Sequence, residues 1–250
     1  MTRPSAKAEI AAGAAILVGV SALCYAVFSG LRHQNTWSSI WVYRSHFVSG
    51  WLWTVGISAA ALVGSTVVGS LAMAGARSTL AAVRLASSGF IELIRGTPLL
   101  TQLLIGHYIV GTALGMESQF VNAILLLSLF EGAYIAEILR GGIESIGRSQ
   151  IESARAVGFS RRQIYRYVII PQAARRVAPS MAGAFANLIK DSSLLTVIAI
   201  PELTHRAYSV NAQTYGGVEA YAVLAVGYLI LTLPIFAASR WLERRYRFDS

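Results

Sequence analysis

Residues 51–76 run for 26 positions without an Asp, Glu, Lys, Arg or His. Water does not tolerate that much contiguous apolar surface, and a helix crossing a bilayer needs roughly 20 predominantly apolar residues. Five more windows read the same way: about 10–28, 91–114, 121–139, 177–200 and 220–239. The fifth of the six in chain order, 177–200, is interrupted by Lys190 and Asp191. Only 13% of the chain is charged, against about 25% for a soluble domain. The sequence thus predicts an all-α polytopic membrane protein with about six transmembrane helices. Trp51, Trp53 and Trp241 fall near predicted span ends, as an interfacial aromatic belt requires.

The loop charges test that count, because Lys and Arg gather in short cytoplasmic loops. Placing the N-terminus inside puts Arg3 and Lys7, then Arg77, Arg84 and Arg95, on the cytoplasmic side. The segment 140–176 adds eight arginines, and the tail adds Arg240, Arg244, Arg245 and Arg247. Only Arg32, Arg44 and Arg206 fall outside. Both termini are therefore predicted to be cytoplasmic, and topology accounts for the +9 net charge without a nucleic-acid partner. Arg3 and Lys7 ahead of an apolar run imitate a secretory signal. The run is longer than a usual signal core, no small-x-small cleavage site follows, and Leu23 before Cys24 does not suit lipoprotein processing. The lone Cys24 excludes an internal disulfide, and no Cys/His cluster points to a metal.

The segment 140–176 carries local helix signals. Ser149-Gln150-Ile151-Glu152 has the form of a capping box, Ile151, Ala154 and Val157 form one apolar face, and Gly158 suits a left-handed helix end. Ser160-Arg161-Arg162-Gln163 repeats the box, and Pro171 is expected to end or kink the helix that follows. The product is a compact helix-turn-helix at the membrane face, shaped either to dock into a protein or to lie on anionic lipid.

The spacing of Glu152-Ser153-Ala154, then Gly158, then Val168-Ile169-Ile170-Pro171 resembles the EAA motif of ABC importer permeases, E-A-A-x3-G-x9-I-x-L-P. It departs from that motif at Ser153, Val168 and Ile170. Three other stretches resemble the polar amino acid uptake branch in the family's order: residues 90–100 (FIELIRGTPLL), residues 132–143 (GAYIAEILRGGI), and Lys190-Asp191-Ser192-Ser193-Leu194 with Pro201-Glu202-Leu203. The resemblance runs from about Trp53 to the C-terminus. It implies a type I permease domain over 51–250, with its coupling loop at 140–176, preceded by a transmembrane helix and outer loop in 1–50. It implies a bacterial inner-membrane importer of a polar amino acid or related solute. The partners it implies are two cytoplasmic ABC ATPase subunits, a second permease chain of the same or a paralogous type, and an extracytoplasmic solute-binding protein. Glu152, Ala154, Gly158 and Pro171 would couple to the ATPase. The chain has no G-x-x-x-x-G-K-[ST] loop and its only lysines are Lys7 and Lys190, so ATP and Mg would be bound by the partner, with no cofactor in this chain.

Ionisable residues inside a span face a cavity or a partner. Glu131 and Asp191 are the candidates for the substrate pathway. Glu131 could meet a solute ammonium or guanidinium group or form a structural salt bridge, and Asp191 could equally be satisfied by Lys190 at a break in its span. Glu137 and Arg140 read as an i,i+3 ion pair, Thr97-Pro98 as a bend in the third span, and Gly56, Ala60 and Gly64 as a close-packing stripe, within the chain or at a dimer contact. Two other classes compete: an ion-coupled secondary transporter working through residues such as Glu131, and a membrane-embedded enzyme using Ser58 and His107.

Overall fold

A computed structural model describes residues 37–245, with isolated positions between 15 and 25. Apart from those positions, the first expected span, 10–28, lies outside the described residues. The described residues are helical throughout, with no strand. A short helix α1 (Trp37–Val42) leads into α2 (Arg44–Ala76), α3 (Ala81–Arg95) and α4 (Leu99–Leu104), which runs on as a π-helical segment, Ile105–Gly111. Then come α5 (Gln119–Glu144), α6 (Arg148–Ala156) and α7 (Arg161–Ile164), followed by a π turn, Tyr165–Ile169. α8 (Ile170–Asp191) continues into a 3₁₀ turn, Ser192–Ile198, and α9 (Leu203–Thr214) and α10 (Gly217–Arg245) complete the chain.

Three helices, α2, α5 and α10, are long and apolar enough to cross a membrane. A fourth span exists if the run Arg161–Ile198 and α9, which bend by 50° at a short break, count as one. The expected third span, 91–114, is not a single helix. It breaks at Gly96-Thr97-Pro98, leaving an exposed amphipathic α3 and a 13-residue apolar helix, Leu99–Gly111. Gln102 makes that break tolerable: its side-chain amide donates to the Ile94 carbonyl at 2.7 Å, the Thr97 carbonyl at 3.1 Å and Thr97 Oγ1 at 2.8 Å. Carbonyls freed by a missing turn need such donors inside a bilayer.

Helices α2 and α5 form the most extensive interface. Ile57, Ala61, Ser65, Gly69 and Ala72 follow one another at three- or four-residue steps on the buried side of α2. The expected stripe of Gly56, Ala60 and Gly64 is therefore displaced by one residue: Gly56 and Ala60 are exposed, and only Gly64 abuts α5, at Ser128. A methyl on Gly69 would lie 2.6 Å from Ile135 and 2.8 Å from the Gly132 carbonyl, and one on Gly132 would lie 2.7 Å from Val68. The backbones approach to a distance only glycine allows.

Ile57, Leu103, Leu127, Leu188, Leu195 and Ile198 join α2, α4, α5 and α8 in the largest core. A second cluster packs Phe47 of α2 against Leu203, Ala207 and Val210 of α9 and Ala220 of α10. Pro171 neither ends nor interrupts the helix it sits in. The π turn directly ahead of it widens the helix where the proline ring would otherwise meet the preceding turn.

Candidate coupling and solute sites

The loop between α5 and α8 is a small folded unit. Ile146, Ala154, Ile164 and Ile169 are buried together, with Ile143, Ile151 and Val168 packed against them. Helix α6 begins two residues earlier than the Ser149 box predicts. Gly147 is its N-cap and no side chain caps it, so Ser149 already lies inside the helix. The second box forms as read: Ser160 Oγ accepts from the Gln163 N–H at 3.4 Å, and Gln163 Oε1 accepts from the Ser160 N–H at 2.8 Å.

Gly158 adopts φ +87°, a conformation that side-chain-bearing residues rarely take. The Gly158 N–H donates to the Arg155 carbonyl and the Phe159 N–H reaches back to Ala154, which is the paired bonding of a Schellman end. Val157 is 73% exposed rather than packed with Ile151 and Ala154, because it is the C-cap and has left the helical conformation.

The four EAA positions therefore divide by role. Ala154 is buried in the loop's core, and Pro171 sits at the start of α8. Glu152 is exposed and has no side-chain partner among the described residues. A Cβ on Gly158 would meet nothing within 4 Å. An exposed carboxylate, the bare backbone at Gly158 and the exposed Val157, Phe159 and Tyr167 thus share a unit held rigid from below.

The Glu137–Arg140 pair exists, at 2.8 Å, within a network the sequence did not reveal. Arg95 of α3 reaches the same Glu137 oxygen at 2.9 Å, Arg140 also binds Glu144 at 2.7 Å, and Arg77, just past α2, approaches Glu144 at 3.7 Å. Three elements are thereby tied at one end of the bundle.

Glu131 is 5% exposed and lines a cavity of about 560 Å³ between α5 and α8, with Tyr134, Ser180, Asn187, Lys190 and Asp191. Glu131 and Asp191 thus share one wall set. Lys190 lines the same cavity, its ammonium 5.4 Å from the Phe236 ring centre, and its charge acts on the Asp191 carboxylate. The cavity carries two carboxylates, an ammonium, an amide and two hydroxyls, groups suited to a polar solute with charged ends.

Ser58 and His107 are not brought together. His107 Nδ1 pairs with the Asn122 amide at 3.0 Å, whereas Ser58 lines an apolar pocket among Val55, Phe185 and Leu231. Two buried acids escaped sequence reasoning, Glu202 and Glu219, both fully enclosed. Glu202 caps α9, accepting from the N–H groups of Thr204 and His205 at 2.7 Å each, and from the Tyr228 hydroxyl of α10 at 3.0 Å. Glutamate is not a favoured cap residue, so its position before an apolar run was a weak signal.

Residues 65–248 match the family model described as binding-protein-dependent transport system inner membrane component. The glutamine transport system permease protein of Escherichia coli strain K12 is 36% identical over 218 residues, covering 86% of this chain and 99% of that protein. The arginine transport system permease protein of Bacillus subtilis strain 168 is 32% identical over 159 residues, covering 63% and 73%. A crystal structure of an amino acid ABC transporter with histidines superposes with a TM-score of 0.79 at 32% identity, covering 85% of this chain and all of the other. An inward-facing methionine ABC transporter shares the fold, with a TM-score of 0.68 at 20% identity. The chain therefore belongs to the family of inner membrane components of binding-protein-dependent transport systems, as a non-catalytic, membrane-spanning permease subunit of an ABC importer.

Proposed function

We propose that this permease moves a polar amino acid, one with a cationic side chain or a close relative such as an opine, inward across the bacterial cytoplasmic membrane. The loop 140–176 and both termini would face the cytoplasm, where the arginines concentrate. The amino acid class is supported by the named relatives, which transport glutamine and arginine. Glu131 and Asp191 support the cationic end of that class, since the cavity holds two carboxylates against the single ammonium of Lys190 and leaves one acid for a solute ammonium or guanidinium group.

One observation carries the mechanism: Gly158 is held at φ +87° by a Schellman end while Glu152 stands unpartnered beside it. A rigid, preformed projection transmits force, whereas a flexible linker would absorb it. Two cytoplasmic ATPase subunits would bind ATP and Mg, seat on this projection, and move it as they close. The displacement would pass through the π turn into α8 and open the Glu131 cavity inward. An extracytoplasmic binding protein would deliver solute to the other face, and a second permease chain would complete the pathway. Glu152 and Gly158 would touch the ATPase, while Ala154 and Pro171 hold their geometry.

Uptake of labelled arginine, lysine and glutamine into cells expressing the whole transporter tests the solute assignment. Glu131→Gln is expected to reduce arginine and lysine uptake by at least about tenfold while affecting glutamine less, one charge contact being lost. Equal loss for all three, or none, would count against Glu131 as a solute contact.

A further inference from the structure

A cleft of about 860 Å³ lies beside α6. Five isoleucines, including Ile146 and Ile151, contribute to its lining, and so do Arg77, Arg148, Arg155 and Arg161. Arg148 and Arg155 are seven residues apart with Ile151 between them, so α6 presents all three on one face. The only acid lining the cleft is Glu144, already bound by Arg140 at 2.7 Å and approached by Arg77 at 3.7 Å. The guanidinium groups of Arg148, Arg155 and Arg161 have no hydrogen-bond or ion-pair partner among the described residues. Three exposed cations without a protein counter-charge on one concave surface favour an anion there.

The position of the cleft limits which anion that is. Its walls include Arg77, one residue past the end of α2, and Glu144, the last residue of α5. Two membrane-crossing helices end there, so the cleft sits at headgroup level. A soluble phosphate would use the arginines alone and leave the half-buried Ile143 and Ile151 without an apolar partner in the cleft. A phospholipid would use both, its phosphodiester in the planar forks of the arginines and its glycerol and upper acyl carbons on the apolar lining. We propose that this cleft binds the headgroup of an anionic phospholipid of the cytoplasmic leaflet, one wall of the site being the coupling helix itself. The leaflet assignment rests on the orientation proposed above.

The test is native mass spectrometry of the transporter purified with its partners in mild detergent, delipidated, then supplied with phosphatidylglycerol or phosphatidylcholine. Phosphatidylglycerol should stay bound at collision energies that strip phosphatidylcholine. Arg148→Gln with Arg155→Gln should lower its retention by at least about tenfold, two charge-assisted contacts being removed. Arg148→Lys with Arg155→Lys, which keeps the charge but loses the planar fork, should fall between wild type and the Gln pair. Equal retention of the two lipids, unchanged retention in the Gln pair, or equal loss in both pairs would overturn the proposal. Displacement of the lipid by excess glycerol 3-phosphate would make the cleft a soluble phosphate site and overturn it too. Loss of ATPase subunits from the Gln pair with lipid retention unchanged would assign the arginines to a protein partner instead. No solute and no ATP enter the readout, so it stands or falls separately from the importer reading.

Discussion

The loop 140–176 and the α2–α5 interface are held by opposite means. In the loop, the structure comes from neighbours in sequence: the Ser160–Gln163 capping box, the Schellman end at Gly158, and a small isoleucine cluster. Of its proposed working groups, Glu152 is exposed, and Gly158 forms the Schellman end while the space where its Cβ would stand is open. Between α2 and α5, about 65 residues apart in the chain, the glycines themselves are the contact, and Gly69 and Gly132 leave no room for a methyl group. The loop spends its local order on exposing a surface, and the interface spends its small residues on closing one. Substitutions in the first should alter transport with little effect on folding, and substitutions in the second should do the reverse.

The largest effect is expected at the interface. Gly132→Leu should prevent the folded bundle from forming, since even a methyl there lies 2.7 Å from Val68 and 3.3 Å from the Gly69 backbone; overpacking of that kind costs about 1–3 kcal/mol for far smaller insertions. Gly56→Leu is the control, because nothing lies within 4 Å of that position. Size-exclusion profiles of the two variants should separate them, and similar behaviour would break the comparison.

Next in size is Glu202→Ala. It removes the cap of α9 and leaves the Tyr228 hydroxyl and two backbone N–H groups without this acceptor, at a cost of roughly 3 kcal/mol. A clear fall in apparent melting temperature in detergent is the expected result, with Glu202→Gln falling less. Smallest is Ser160→Ala, which deletes one half of the capping box for about 1 kcal/mol. It should barely move the melting temperature yet measurably slow uptake, because it loosens the projection that transmits movement. Unchanged uptake would mean that the loop's rigidity contributes nothing.

The same division explains what was legible in the sequence. The Ser160 box, the left-handed Gly158, the Glu137–Arg140 pair and the apolar spans at 51–76, 121–139 and 220–239 depend on spacing within one segment, and each is present. The misreadings arise where a neighbour decides. Ser149 matched a capping pattern, but the extended backbone at Gly147 starts the helix first. Thr97-Pro98 read as a bend, yet the Gln102 side chain allows a full break by taking up the freed carbonyls. Gly56 and Ala60 had the right spacing for packing within the chain, but the location of α5 placed that contact one residue over and left both exposed, as a contact with a second permease chain requires. Glu131 and Asp191 were each visible as costly intramembrane acids, but only the packing of α8 against α5 puts them on one cavity. Glu202 stood in the sequence only as part of Pro201-Glu202-Leu203, and its role as a buried cap depends on α9 and on Tyr228 of α10.

The central claim is that the unit around Gly158 transmits the ATPase's movement, and its most direct test is the amount of ATPase that copurifies with the tagged permease. The comparison is wild type, Gly158→Asn and Gly158→Trp. Asparagine tolerates the left-handed conformation but fills part of the bare surface, so it separates a helix-ending role from a docking role. The account predicts normal membrane insertion for all three, partial loss of ATPase with Asn, and at least about tenfold loss with Trp. Full retention of ATPase by the Trp variant, together with wild-type uptake, would contradict it.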